Sequence, residues 1–333
     1  MKILGVGPKM IEWSKNFIAG STQFEEIHGH RSEEYSSPVG VRQGRRISPD
    51  YYNIGSLTAA FWTALAESLL YADDGINIIY GNTIEECNMK LQTVALELAR
   101  WYDLVGLSLN IKKSEVMGFG FAPNSISINN ESIKPTKSIK FLGLHIQSDL
   151  KWNTHVEYLC NKLRASAGRI RFEGRHFSIK DRKMLYFAWT QGCLLSNGLA
   201  FLPRLNAGDE AKLQVTCNSA IRAVLRLPRY GYLPISSFRK QLRIPSIAQL
   251  SNKLLLEAAW TKNHLAVTNR CLSGPTTRAR ANLDIIHPNQ NGYRSQKIST
   301  KCDLAWNELP LAAKLEPVKE KAYSIIKEHA IKF

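Results

Sequence analysis

The sequence predicts an α+β protein: a small antiparallel sheet with helices on one face, followed by a mostly α-helical region. Three observations predict it. In the first part of the chain, helical periodicity alternates with short β-branched and aromatic runs, in the order helix, hairpin, helix, strands. From about residue 150 to 260, apolar residues recur at three- and four-residue steps almost without interruption. After Leu272-Ser273-Gly274-Pro275 the chain turns polar and less periodic, and it closes on a short helical pattern. These textures divide it into segments 1–146, 147–271 and 272–333. With 333 residues, 44% of them hydrophobic and 22% charged, there is apolar material for two or three ordinary cores, which excludes a disordered or low-complexity protein.

Each element has a local cause. Ser48-Pro49-Asp50 predicts a helix start, with serine as a cap, proline in the first turn and aspartate at the positive end. Tyr51, Ile54, Leu57, Thr58, Phe61, Trp62 and Leu65 then share one helical stripe, expected to be buried. Strands are predicted at Ser68–Tyr71 and Ile76–Tyr80, with Ala72-Asp73-Asp74-Gly75 between them, so both aspartates fall at or beside a tight turn. Thr83 and Glu86 have capping-box spacing, and Leu91, Val94, Ala95, Leu98, Ala99 and Tyr102 form the inner face of a helix ending at Gly106. Gly118–Ile128 and Ser138–Ile146 read as further strands around an Asn129-Asn130 turn. Beyond Trp152 and His155 the helices are basic, with Arg164, Arg169, Arg171, Arg175, Arg182 and Lys183. A helix over Leu213–Leu227 turns Leu213, Cys217, Ala220, Ile221 and Val224 inward and sets Arg222, Arg226 and Arg229 in a stripe on its other side. Such a stripe suits either a solvated face or contact with phosphates.

Lys and Arg number 44 against 28 Asp and Glu, a net charge of +16 distributed in small clusters along the chain. A polyanion is the expected partner class, nucleic acid before anionic membrane; a plainly basic surface is the alternative. The six cysteines are scattered without CxxC or CxxC…HxxxH spacing, which argues against a zinc ribbon and a disulfide scaffold and for reduced thiols. No run approaches the ~18 apolar residues of a membrane span, and the N-terminus lacks a signal-peptide core. The reading is a soluble intracellular protein of the cytoplasm, the nucleus or both, without a membrane partner.

Chemistry concentrates at Tyr71-Ala72-Asp73-Asp74. Vicinal carboxylates repel each other unless a cation neutralises them, and Mg²⁺ suits one or two carboxylates completed by water and phosphate oxygens. Asp and Gly are also ordinary turn residues, so this tetrapeptide alone leaves both meanings open.

The order of segments is more specific. Gly40-Val41-Arg42-Gln43-Gly44-Arg45-Arg46-Ile47-Ser48-Pro49 is followed by Tyr71-Ala72-Asp73-Asp74, then by Gly106-Leu107-Ser108-Leu109-Asn110-Ile111-Lys112-Lys113-Ser114, then by Phe141-Leu142-Gly143. The series resembles the palm of reverse transcriptases from non-LTR (LINE-type) retrotransposons. Downstream, Leu150-Lys151-Trp152-Asn153-Thr154-His155, the Leu213–Pro228 segment and Ala305-Trp306-Asn307-Glu308-Leu309-Pro310 resemble that family's thumb and C-terminal segments. The resemblance implies a partial palm over 1–146, a helical thumb-like or connection region over 147–271, and the C-terminal segment of the element's reading frame over 272–333.

By the same resemblance, Asp73 would coordinate two catalytic Mg²⁺ ions and Asp74 would be the weaker or outer member of the pair. Tyr71 would flank that site beneath the primer end, and Gln43 and Gly44 would let the backbone approach the templating base pair. Ser48 would start the supporting helix, and Lys113 would lie near the incoming triphosphate. Arg164, Arg169, Arg171, Arg222 and Arg226 would contact nucleic acid. RNA template, DNA primer and deoxynucleoside triphosphates are the implied partners.

The resemblance also implies a chain that begins downstream of the family's first catalytic aspartate, leaving one metal ligand missing and the hairpin edge unpaired. Gly75 stands where threonine is frequent, and Arg45-Arg46 stand where small or apolar residues are frequent. Two functions follow: an RNA-directed DNA polymerase whose own activity is low or absent, or a non-catalytic nucleic-acid-binding remnant of a retroelement. A basic structural protein unrelated to polymerases is the third alternative.

Overall fold

The computed structural model describes residues 2, 5–19, 22–36, 40–42, 44–271, 302, 305–316 and 318–331. They belong to two compact units, Met1–Phe141 and Leu142–Phe333.

The first unit opens with α1 (Pro8–Ile18), whose buried Ser14 hydroxyl accepts a 2.7 Å hydrogen bond from the Tyr51 hydroxyl. Two short ribbons follow: β1 (Thr22–Gln23) pairs with β4 (Tyr35–Ser36), and β2 (Glu26–Ile27) pairs with β3 (His30–Arg31). The helix predicted from Ser48 onward forms in two pieces, α2 (Ser48–Ser56) and α3 (Ala59–Trp62). Hydroxyl groups compete for its carbonyls at the break: Ser56 donates to the Tyr52 carbonyl and Thr58 to the Gly55 carbonyl, beside a flexible glycine. The interruption corrects the predicted buried stripe. Tyr51 is buried, but Leu57, Phe61, Trp62 and Leu65 are all exposed, Phe61 at 82%.

Next come β5 (Glu67–Tyr71) and β6 (Asp74–Ile78), an antiparallel hairpin, and then α4 (Ile84–Leu104). The predicted capping box forms at the start of α4: the Glu86 amide donates to Thr83 Oγ1 at 3.1 Å, and Glu86 Oε2 accepts the Asn82 amide at 2.8 Å. At its end Gly106 takes φ +72°, and the amides of Gly106 and Leu107 bond back to the Asp103 and Tyr102 carbonyls, a Schellman ending. Ala95 and Ala99 of α4 pack on Val116, Ile126, Ile128 and Ile133 to make this unit's core.

β7 (Ile126–Ile128) and β8 (Glu131–Ile133) are joined by Asn129 and Asn130 at φ +48° and +64°, the two left-handed residues a type I′ turn requires. The strand predicted from Gly118 starts only at Ile126. A side chain at Gly118 would meet the Phe121 carbonyl oxygen at 2.5 Å, Gly120 takes φ +80°, and Pro123 cannot donate to a ladder, so this stretch folds back on itself. The unit ends with β9 (Ser138–Phe141). The α+β class holds, but β1 to β8 form separate two-stranded antiparallel ribbons where one small sheet was expected.

The second unit begins with β10 (Leu144–Gln147) and continues as helices: α5 (Asn153–Glu173), α6 (Ile179–Leu185), α7 (Gly192–Leu195), α8 (Gly198–Phe201), α9 (Ala207–Val224), α10 (Ile235–Gln241) and α11 (Ile247–Cys271). One π-helical turn, Tyr186–Gln191, links α6 to α7 and puts Thr190 Oγ1 2.7 Å from Ser166 Oγ in the interior. Val156, Leu159, Cys160 and Leu163 of α5 and Leu213 and Cys217 of α9 are nearly inaccessible to solvent and pack in one cluster, as the helical period requires.

α9 ends at Val224, short of the predicted Leu227. Arg226 takes φ +58°, and the amides of Arg226 and Leu227 bond back to the Ala223 and Arg222 carbonyls, another Schellman ending with arginine in the usual glycine position. Arg226 and Arg229 therefore lie past the helix and do not extend a stripe along it. After α11, α12 (Leu311–Leu315) and α13 (Lys319–Ala330) pack Ala313, Ala322 and Ile326, together with Trp306, against Leu256, Ala259 and Trp260. The Trp260 indole donates to the Ala313 carbonyl at 2.9 Å. No helix among the described residues is long and apolar enough to cross a membrane. Cys87, Cys160, Cys193 and Cys217 are free thiols.

Candidate functional site

Strand register defines the β5–β6 hairpin residue by residue. Glu67 pairs with Ile78, Ser68 with Asn77, Leu69 with Ile76, Leu70 with Gly75 and Tyr71 with Asp74, which leaves Ala72 and Asp73 as a two-residue turn. Residues directly opposite each other share a face, so Asp74 stands on the same face as Tyr71, Leu69 and Ile76. Ser68 Oγ donates to Asn77 Oδ1 at 2.7 Å on the other face and lies 2.7 Å from Thr63 Oγ1. At the base, Lys90 of α4 donates to the Tyr80 carbonyl at 3.0 Å.

The turn itself is strained. Ala72 takes φ +51° and Asp73 does not take a positive φ, the φ pattern of a type II′ turn, whose first central position favours glycine. A side chain in that region costs about 1 to 2 kcal/mol. Gly75 has a packing reason to remain glycine: a Cβ there would meet Leu70 Cδ2 at 3.1 Å.

Asp73, Asp74 and Tyr71 are all exposed, Tyr71 at 65%. Asp73 lies in the bend and Asp74 on the strand beside it; a hydrated Mg²⁺, which keeps most of its waters, asks for only one or two such carboxylates. Among the described residues no group of three or more His, Cys, Asp or Glu side chains could hold a metal ion, so the pair does not by itself fit a two-ion centre.

The other residues singled out in the sequence lie on separate segments of the first unit. Gly44 takes φ +77° with open space where a Cβ would project. Ser48 is buried, but its hydroxyl does not cap α2: it donates to the Arg42 carbonyl and so ties the preceding loop to the helix start. Gln43 lies outside the described residues. Lys113 is exposed at the end of a 3₁₀ turn, Ile111–Lys113, whose Lys113 amide donates to Asn110 Oδ1 at 3.2 Å. Among the described residues, no hydrogen bond or ion pair joins Ser48 or Lys113 to either aspartate.

In the second unit, several arginines hold the fold's own carbonyls. Arg182 is buried, not displayed: its Nε donates to the Val224 carbonyl at 2.6 Å and a terminal nitrogen donates to the Phe177 carbonyl. Arg171 donates to the Leu227 carbonyl at 3.0 Å, Arg222 to the Gly231 and Leu233 carbonyls at 2.8 and 2.9 Å, and Arg226 to the carbonyls of Arg175 and Phe177. Arg164 donates to Asn161 Oδ1 at 2.7 Å, while Arg169 pairs with Glu173 at 3.4 Å and stacks over Trp189. Each guanidinium has five N–H donors, so these bonds fix the fork and leave donors over.

Sequence reasoning passed over the exposed aromatics beside these arginines. Phe172, Tyr230 and Tyr232 are 68%, 83% and fully exposed. Their signal was Pro228-Arg229-Tyr230-Gly231-Tyr232-Leu233-Pro234, an aromatic run bounded by prolines that no helix could bury.

Compared with known proteins, the chain matches no protein-family model. It is 20% identical over 309 residues to the RNA-directed DNA polymerase from mobile element jockey of Drosophila melanogaster, a match covering 84% of this chain and 33% of that protein. The chain therefore spans about a third of the relative's length. No solved structure matches. The similarity supports a relationship to the reverse transcriptases of non-LTR elements.

Proposed function

We propose that this chain is the palm-and-thumb portion of an RNA-directed DNA polymerase from a non-LTR retrotransposon. The first unit would be part of the palm, and the second the thumb-like region with the C-terminal segment. One observation carries the reading: a chain similar to such a polymerase over 84% of its length holds Tyr71-Ala72-Asp73-Asp74 at the bend of a β-hairpin, with both carboxylates exposed. Asp73 and Asp74 would hold Mg²⁺, which when bound offsets charge on the phosphates of a nucleotide. The template would be RNA, the primer DNA and the monomers deoxynucleoside triphosphates. Lys113, Gly44, Ser48 and Tyr71 keep the positioning roles given by the family resemblance.

Among the described residues no third carboxylate groups with Asp73 and Asp74 to bridge two ions. A second reading for the chain acting alone is that it binds nucleic acid through its arginine-rich helices with steep salt dependence and slight sequence preference, without extending a primer. Primer extension on an RNA template with Mg²⁺, comparing the chain with Asp73→Asn, separates the two. Extension lost in the variant supports a competent polymerase site. Equal background signals, with filter binding that weakens as salt rises, support the remnant. Neither extension nor salt-sensitive binding overturns both.

A further inference from the structure

We propose that the loop Pro228–Pro234 and the adjoining end of α5 form a stacking platform for the unpaired bases of single-stranded nucleic acid. The inference deepens the nucleic-acid part of the function proposed above and rests on that reading; it does not depend on the aspartates of the hairpin.

The platform begins with charge. The sequence has no Asp or Glu between Glu210 and Glu257, while Lys and Arg recur throughout that stretch. On the adjoining α5 the nearby Glu173 is already paired with Arg169 at 3.4 Å. Asp181, in the first turn of α6 after Phe177, is engaged with Ser178 Oγ at 2.7 Å. A segment so rich in Lys and Arg, with few acidic neighbours, favours a polyanion.

Rigidity comes next, from the arginines that clamp carbonyls. Arg222 reaches the Gly231 and Leu233 carbonyls at 2.8 and 2.9 Å and so fixes the loop from below. Arg226 bonds the Arg175 carbonyl, tying the end of α9 to the turn after α5. Phe172, with the Arg175 guanidinium 4.9 Å from its ring centre, lies on the end of α5, which is joined to the stretch just past α9 by the Arg171 bond to the Leu227 carbonyl at 3.0 Å. Tyr230 carries Arg229 at 6.0 Å from its ring centre, and Tyr232 is fully exposed on the other side of Gly231.

Exposed aromatic rings on a backbone held by Arg222 and interleaved with guanidinium groups match the requirements of base stacking: a free π-face for each base and cations for the phosphates between them. In a duplex the faces of the bases are already covered, so the platform discriminates for unpaired strands. An apolar protein contact would leave the arginines without counter-charge, and an anionic membrane would supply the charge but no base faces for the rings, which is why vesicles enter the test below.

Fluorescence anisotropy of the full chain with a labelled single-stranded oligonucleotide tests this, with three comparisons: the same length of abasic strand, a blunt duplex, and the double variants Tyr230→Ala/Tyr232→Ala and Tyr230→Phe/Tyr232→Phe. Because both tyrosines are exposed, neither pair of substitutions removes a core contact. Alanine is expected to weaken binding to the single strand about tenfold or more, and phenylalanine to restore it, because stacking needs the ring and not the hydroxyl. The abasic strand is expected to bind as weakly to the parent as the normal strand binds to the alanine variant.

Equal single-strand affinity of the parent and the alanine variant, equal affinity for abasic and normal strands, or no single-strand binding by the parent overturns the platform. So does tyrosine-dependent binding to phosphatidylserine vesicles in place of oligonucleotide. If the parent binds the duplex and the alanine variant is unchanged on every probe, the platform fails while the polymerase relationship stands. If the parent and Asp73→Asn show the same background extension but the tyrosine dependence holds, the platform stands while the reading of a competent polymerase fails.

Discussion

His155 provides the sharpest thermodynamic test. It is 2% exposed, its ring meets Phe201 edge-on at 4.7 Å, and Trp152 and Tyr158 lie about 6 Å away. Its Nδ1 accepts the His145 backbone amide at 3.3 Å, which fixes the neutral tautomer with the proton on Nε2, and that buried nitrogen has no hydrogen-bond partner. Burial, and then the charges of His145 and Lys162, lower its pKa from 6.5 to about 4.

A depressed pKa on a base means that the unfolded chain takes up a proton first. The stabilisation is fully present above pH 6.5 and is lost as pH falls toward 4. Between about pH 7.5 and about pH 4.5 the loss at this site comes to about 2 to 3 kcal/mol, the linkage integral over that range. His155→Asn keeps an acceptor for the His145 amide and removes the titration. Urea unfolding of both proteins at the two pH values, followed by tryptophan fluorescence and far-UV circular dichroism, measures the difference. The variant is expected to be weaker at the higher pH, through lost packing, and to lose about 2 to 3 kcal/mol less than the parent on acidification. Parallel acid sensitivity in the two proteins refutes the reasoning, because it would mean that His155 is solvated and titrates normally.

Two further predictions concern stability. Arg182→Lys keeps the charge and most of the stem but loses the fork that bonds the Val224 and Phe177 carbonyls; about 2 to 4 kcal/mol should disappear from the urea-unfolding free energy, and a loss under about 0.5 kcal/mol would show that these carbonyls find other donors. Ala72→Gly relieves the left-handed turn residue and should strengthen the β5–β6 hairpin by about 0.5 to 1 kcal/mol, read as slower amide exchange across that ribbon; faster exchange would count against a strained turn.

Local signals were legible wherever the backbone alone decides. Thr83 and Glu86 specify the start of α4 because a hydroxyl and a carboxylate three residues apart satisfy its first free amides. Asn129-Asn130 specifies its turn because both residues tolerate positive φ, and the inward positions of α5 and α9 follow from a period of 3.6 residues. The hairpin carrying Asp73 and Asp74 was legible from its flanking apolar runs, but its register was not: Asp74 and Gly75, expected in the turn, are the first residues of β6, and Ala72-Asp73 makes the bend with alanine at positive φ.

Burial was not legible in this way. Phe61 and Trp62 have the spacing of a buried stripe, yet hydroxyl bonds at Ser56 and Thr58 interrupt the helix and both rings are exposed. A heptad-like pattern states which residues share a face, not whether anything covers it. Likewise, charge composition could not separate Arg182, buried on two carbonyls, from arginines at the surface, because a guanidinium is placed by acceptors distant in sequence.

Taken by itself, the sequence determined the helix starts, the tight turns, the helical periods and the adjacency of the two aspartates, all of which depend on interactions within a few residues. Only the tertiary structure decided which arginines became internal clamps, which aromatics stayed in solvent and how far His155 was withdrawn from water. Those outcomes depend largely on partners well outside the local pattern, such as the His145 amide 10 positions from His155 and the Leu227 carbonyl 56 positions from Arg171.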